Sequence, residues 1–285
     1  MAINKIKMRL QGHEKFAIRE GWINKALIAV NEMPDAFVRK DATDIFGIGS
    51  NMVKSLRYWM RAFGLTNDSG NELTVLGETI RRYDPYLEDL TTLWLLHSNI
   101  AKNKENATTW YMYFNNCNAD DLEKDQIVAI ITREVKKYAN GQAFSEKSLS
   151  NDVDVLLSMY SKSKEKTDPE DKNVSPFSQL GLIKKQDGKF AKNHPDKKTF
   201  SEWIVLYEIS KLIGDRVSIS IEEVINGENG LSKIYNLTNV VSNDLLDKLD
   251  TAGKIRVDRT AGLDMIYPIE QLVPDRVIQE YYEMH

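Results

Sequence analysis

The sequence predicts a mainly α-helical fold with small β-hairpins. An N-terminal winged helix-turn-helix is followed by a central helical region and a C-terminal winged-helix-like unit. Three observations lead to this. Apolar residues recur at three- to four-residue spacing through most of the chain. Hairpins are read around Asp68-Ser69-Gly70, Asp187-Gly188 and Ala261-Gly262. In the first and last thirds a hairpin comes directly after short helical segments, the order of a winged helix.

Taken in order, "WINKALIAVNEM" (22–33) has helical spacing through Trp22, Ala26, Ile28, Ala29 and Met33, and Pro34 closes it. "KDATDIFG" predicts a short helix with Asp41 as N-cap and Asp44 in a capping-box-like position. After the Gly47-Ile48-Gly49 turn, Ser50 is the expected N-cap of a helix over 51–63, and Gly64 its stop. "LTNDSGNELT" reads as a wing-length hairpin, and Thr74 caps "VLGETIRRY". These elements make residues 1–84 the winged helix-turn-helix domain. Residues 85–160 read as wholly helical, with "KDQIVAIITREVKKYA" and "EKSLSNDVDVLLSMY" flanking a turn as a weaker helix-turn-helix. The polar, aperiodic run 161–174 is expected as a linker. In 175–285, "SPFSQLGLI" leads from helix into strand and "KKQDGKF" forms a hairpin. Three helices and the two strands of "KIRVDRTAGLDMIYPI" follow.

Composition bounds the function. With 42% hydrophobic and 28% charged residues among 285, the chain has the make-up of an ordinary globular protein. It holds no apolar run of the roughly 20 residues a membrane span needs, and the N-terminal stretch lacks the apolar core of a signal peptide. The single cysteine, Cys117, cannot form an internal disulfide. The expectation is a cytoplasmic protein without membrane association. The net charge of −4 argues against a bulk polyanion binder, but its distribution is uneven. Residues 1–83 carry 13 Lys and Arg against 9 Asp and Glu, a net of +4, which leaves −8 for the rest.

The segment Asn51 to Phe63 carries the functional expectation. At about 100° per residue, Met52, Val53, Leu56, Trp59, Met60 and Phe63 fall on one apolar face. The opposite arc collects Asn51, Lys54, Ser55, Tyr58 and Arg61, with Arg57 at its edge and no acid among them. Arg and Lys take phosphates or guanine edges, Asn pairs with adenine, and Ser or Tyr can hold phosphates. The expected duplex-DNA-binding residues are therefore Ser50, Asn51, Lys54, Ser55, Arg57, Tyr58 and Arg61, with Arg81 and Arg82 reaching the flanking backbone. A phosphate cradle at Gly47-x-Gly49 is excluded, because neither the P-loop nor the dinucleotide spacing is met and no strand precedes it.

No catalytic set emerges. His13-Glu14 lacks the second histidine of HExxH, since position 17 is Ala17. Four scattered histidines and one cysteine make no zinc spacing. Asp152 and Asp154, two apart on a helix, diverge. Pro34-Asp35 opens a nuclease-like motif that no acid-x-Lys completes. No enzyme activity, metal or cofactor is expected.

Beyond these patterns, "GHEKFAIREGWINKAL", "FGIGSNMVKSLRYWMRAFGL", "LTVLGETI", "DPYLEDLTTLWLLH", "SPFSQLGLI" and "TAGLDMIYP" together resemble the bacterial domain-of-unknown-function family 4007 over nearly the whole chain. The resemblance implies a DNA-directed accessory role beside sulfotransfer-type reductase homologues and ATPases, in DNA sulfur-modification (phosphorothioation) or phage-defence cassettes. It implies no catalytic residues. The expected function is a non-enzymatic DNA-binding accessory or regulatory subunit with protein partners in such a system. The alternative is a protein–protein interaction scaffold, with the acidic 84–285 region docking a basic partner.

Overall fold

The computed structural model describes residues 5–161, 174–260 and 262–285. The first four helices are α1 (Trp22–Glu32), α2 (Ala42–Phe46), α3 (Ser50–Ala62) and α4 (Val75–Tyr83). The central ones are α5 (Leu90–Lys102), α6 (Thr108–Asn116), α7 (Lys124–Ala139) and α8 (Glu146–Ser161). A short strand, β1 (Leu122–Glu123), precedes α7. Beyond residue 174 come a 3-10 turn over Pro176–Leu180, β2 (Ile183–Gln186) and β3 (Lys189–Lys192). They lead into α9 (Glu202–Ile213), β4 (Ile219–Ser220), α10 (Ile221–Asn226) and α11 (Leu231–Ile234). The chain closes with α12 (Asn239–Thr251), β5 (Ile255–Thr260), β6 (Leu263–Pro268) and α13 (Pro274–Met284).

The fold is therefore mainly helical, with two three-stranded antiparallel sheets ordered β1-β3-β2 and β4-β6-β5. Asp187 and Gly188, at φ of 50° and 81°, make the tight β2–β3 hairpin expected of Asp-Gly. Strands β5 and β6 pair antiparallel out to Thr260 opposite Leu263; the expected turn between them includes Ala261, which lies outside the described residues. Most of the 161–174 linker expectation falls there too.

Helix ends follow local chemistry. Gly64, at φ 70°, lets its own N–H reach the Arg61 carbonyl and the Leu65 N–H reach that of Met60, closing α3 in a Schellman motif. Thr74 Oγ1 accepts from the Gly77 N–H at 3.1 Å and caps α4 as expected. One expected cap moves by a residue, and another, Asp41, is in place but lacks its side-chain bond. Ser50 is the first residue of α3 and Gly49 is its N-cap. Asp41 makes no cap bond, because its carboxylate is taken by the Arg39 guanidinium at 2.9 and 3.2 Å.

One apolar cluster runs continuously from Ile18 to Tyr282. Contacts cross each expected domain boundary. From the C-terminal helix α13, Tyr282 stacks on Tyr83 at 5.7 Å, and the Tyr281 hydroxyl bonds Thr91 at 2.8 Å. Leu122 on β1 pairs with Phe190 on β3. Phe63 at the end of α3 stacks on Phe177 at 5.1 Å. Helix α13 and the short β1, β4 and α11 have no counterpart in the sequence reading, and α13 packs on α9 and α4.

Candidate nucleic-acid interface

Helix α2 ends at Gly47, at φ 62°, and the chain turns through Ile48 and Gly49 into α3. The apolar face expected of α3 is buried: Val53, Leu56, Trp59, Met60 and Phe63 all lie in the core. The opposite arc, expected to face DNA as a whole, is divided in two.

Ser55 is 0% exposed and Tyr58 3%. Residues 6–20 run across this part of α3 as a strap. The Ser55 hydroxyl and the Trp59 indole both donate to the Phe16 carbonyl, at 3.4 and 3.0 Å. The Arg9 guanidinium lies over the Tyr58 ring at 5.5 Å, and His13 meets that ring edge-on. A Cβ on Gly12 would sit 2.3 Å from Tyr58 Cδ2, so the strap lies this close because position 12 has no side chain. Ser55 and Tyr58 therefore leave the expected DNA-facing set. Periodicity places both on the polar arc because it describes the helix alone and not what packs on it.

The strap is tied down from the far side by Asp152 on α8, which is 2% exposed. Its Oδ1 accepts from the Gln11 N–H at 2.7 Å and His13 Nε2 at 2.8 Å, and its Oδ2 from the Thr109 hydroxyl at 2.7 Å. His13 Nδ1 accepts from the Lys15 N–H at 3.1 Å, which places the ring proton on Nε2. His13 also stacks on Trp59 at 5.7 Å. Gln142 exchanges two hydrogen bonds with the Ile6 backbone, at 3.0 and 3.1 Å.

The other half of the arc is open. Ser50, Asn51 and Lys54 are exposed, and Arg57 and Arg61 partly so. Lys54, Arg57 and Arg61 are spaced i, i+3 and i+7, which aligns them on one ridge. Arg57 Nη2 donates to the Ser69 carbonyl at 2.5 Å, and Arg61 Nη1 to that of Asp68 at 3.2 Å, so both arginines hold the following turn. That turn is tighter than the expected hairpin. It has a single Thr66–Leu73 bridge, with an Asn67 N–H to Glu72 carbonyl bond at 3.0 Å.

Burial pushes the Arg61 guanidinium below its ordinary value, and Arg9 and Arg57 add like-charge repulsion that Asp68 partly offsets. Three guanidiniums thus gather with one nearby carboxylate, a place where an incoming anion relieves repulsion. Arg9 was missed from sequence, since it lies in a segment without periodicity and reaches the ridge only because the strap folds back. The two helix-α4 residues are committed elsewhere. Arg81 is paired with Glu78, which holds that carboxyl below its usual range, and Arg82 lies over the Tyr83 ring at 5.1 Å.

The remaining candidates resolve as packing. Asp154 faces outward and pairs with Lys124 at 2.8 Å, away from buried Asp152, as residues two apart must. Cys117 is buried. His97 is 0% exposed; its Nδ1 meets the Tyr160 hydroxyl and its Nε2 the Ile234 carbonyl, each at 2.8 Å. Burial pushes its ring down to about 3, with the Ile234 bond opposing.

Among known proteins, the family model described as "Protein of unknown function (DUF4007)" matches residues 10–282. No curated protein matches. Among solved structures, a magnesium ion-bound SspB crystal structure is similar at a TM-score of 0.85 and 25% identity. A second SspB crystal structure matches at 0.82 and 26%. Each covers 96% of this chain and 88% of the other. Among the described residues no three or more His, Cys, Asp or Glu side chains come together as a donor group.

Proposed function

The chain belongs to the DUF4007 family, and we propose that it is a non-enzymatic duplex-DNA-binding protein whose helices α1 to α4 act as a winged helix-turn-helix. The observation that carries this is the Lys54–Arg57–Arg61 ridge joined by Arg9 beside the 66–73 turn. In this reading α3 lies in the major groove. Lys54, Arg57, Arg61 and Arg9 take backbone phosphates, and the exposed Ser50 and Asn51 at the helix start meet base edges. The turn held by Arg57 and Arg61 serves as the wing. Arg81 and Arg82 sit further back, and each would have to leave Glu78 or Tyr83 to touch the duplex. The setting is an accessory or regulatory role in a bacterial DNA sulfur-modification or phage-defence system, as the family resemblance implies.

The test is fluorescence anisotropy on a mixed-sequence duplex across a salt series. Each phosphate contact contributes about 0.9 to the slope of log affinity against log salt, so Lys54→Ala should flatten it by about one unit. Lys54 is the clean probe, because among the described residues it holds no ion pair and removing it leaves the 68–70 turn in place. Absence of salt-sensitive binding, or an unchanged slope in Lys54→Ala, refutes the assignment.

A further inference from the structure

On the side of the molecule built from α6, β3 and α11, a cleft of about 620 Å³ has Asn116, Asn118, Lys192, His194, Ser232 and Lys233 in its lining. That size falls within the roughly 300–1,000 Å³ of small-ligand sites. It shares no residue with the α3 ridge.

Its floor is a fixed polar frame. The Asn193 amide donates to the Gly181 carbonyl at 2.7 Å, and the Asn236 amide to the carbonyls of Leu182 and Asn193 at 3.2 and 3.1 Å. His194 Nδ1 donates to the Asn236 carbonyl at 2.5 Å. Within this frame the Lys192 ammonium is held at one point, donating to the Phe114 carbonyl at 2.8 Å, over the Tyr113 and Phe114 rings at 5.6 and 5.8 Å. An ammonium has three donors, so two remain. Burial pushes Lys192 down to about 8; the Cys117 thiol opposes that and Lys233 adds to it. Asp120 is the carboxylate on the lining, yet it is not among the charges that act on Lys192. Among the described residues Lys233 pairs with no carboxylate. Two ammoniums thus share a partly enclosed site in which, among the described residues, neither forms an ion pair with a carboxylate, and the Asn116 and Asn118 amides add donors at the rim.

We propose that this cleft binds a phosphate group, carried by a small nucleotide or presented by a nucleic-acid backbone. Phosphate suits it better than a carboxylate because its tetrahedral oxygens can accept from Lys192 and Lys233 together with a rim amide.

The test is calorimetric titration of the full chain with inorganic phosphate, with deoxyadenosine monophosphate and with a short duplex. Lys233→Gln and Ser232→Asp are the working variants, because both positions are half-exposed and keep the fold; Lys192→Met is the third. Removing a charge-assisted bond should weaken binding about tenfold or more. Mononucleotide binding that Lys233→Gln and Ser232→Asp both weaken supports the site with a nucleotide as its source. Sensitivity seen only with the duplex, and retained in Lys54→Ala, supports it with the backbone as source. If neither variant changes binding of any of the three probes, the assignment falls. Because Lys54→Ala leaves the cleft intact, failure of the α3 interface and failure of this site are told apart.

Discussion

Asp152→Ala should loosen the strap and weaken DNA binding together. The carboxylate accepts from the Gln11 N–H, the His13 ring and the Thr109 hydroxyl, all in buried surroundings. Truncation leaves three donors without an acceptor, and each lost buried bond costs about 1–2 kcal/mol net of what water would return. A loss of about 3–5 kcal/mol follows, a large part of the roughly 5–15 kcal/mol of a typical domain. Asp152→Asn keeps one oxygen for Gln11 and His13 and can turn its amide toward Thr109, whose hydroxyl also accepts; about 1–2 kcal/mol is expected. Urea unfolding followed by tryptophan fluorescence reads this directly, because Trp59 stacks on His13. In the still-folded fraction, Arg9 loses its place over Tyr58, so the salt slope of duplex binding should flatten by about one unit. If Asp152→Ala costs less than about 1 kcal/mol, the strap does not depend on Asp152; if it costs the expected amount and still leaves that slope unchanged, Arg9 is not part of the interface.

Three further outcomes follow. His97 is held neutral in the core with its ring pushed to about 3 from 6.5, so below 6.5 the unfolded chain takes a proton that the folded one refuses. Stability should therefore fall with acid between those values by about 1.4 kcal/mol per pH unit from this group, and His97→Gln should show a flatter pH dependence in chemical denaturation. Glu208→Ala strips the buried Lys102 ammonium of its carboxylate and Ser98 and Tyr235 of their acceptor; thermal and urea unfolding should show a loss of about 3–5 kcal/mol. Gly12→Ala puts a methyl group into the Tyr58 ring and should cost about 1–3 kcal/mol in urea unfolding, whereas the same change at exposed Gly49, whose Cβ would meet nothing within 4 Å, should cost far less.

Much of the fold was legible because its signals are local. The Schellman closure at Gly64, the Thr74 cap and the Asp187-Gly188 turn each depend on a few adjacent residues, and each forms as expected. What differed depended on neighbours. Asp41 is the N-cap of α2 as expected, but Arg39 competes for its carboxylate and wins with two hydrogen bonds. Strands of two residues such as β1 and β4 exist only because β3 and β6 are there to pair with them. The buried Lys102–Glu208 pair joins residues more than a hundred positions apart, and nothing in either local sequence signals the other.

The candidate site follows the same rule with a sharper consequence. A helical wheel assigns sides to α3 correctly: its apolar side is in the core from Val53 on, with Met52 partly buried against it. It cannot distinguish a polar side chain facing water from one facing another piece of the chain. Tyr58 and Ser55 carry the residue types of a DNA contact, yet they hold the strap: one receives Arg9 over its ring, the other donates to Phe16. The displacement also works in reverse, since the strap that removes two residues brings in a guanidinium that no spacing rule could place. The basic surface is thus composed from two segments, joined by a carboxylate on a third, Asp152. A mutation on α8, far from α3 in sequence, should therefore reach the basic ridge through two hydrogen bonds and one glycine.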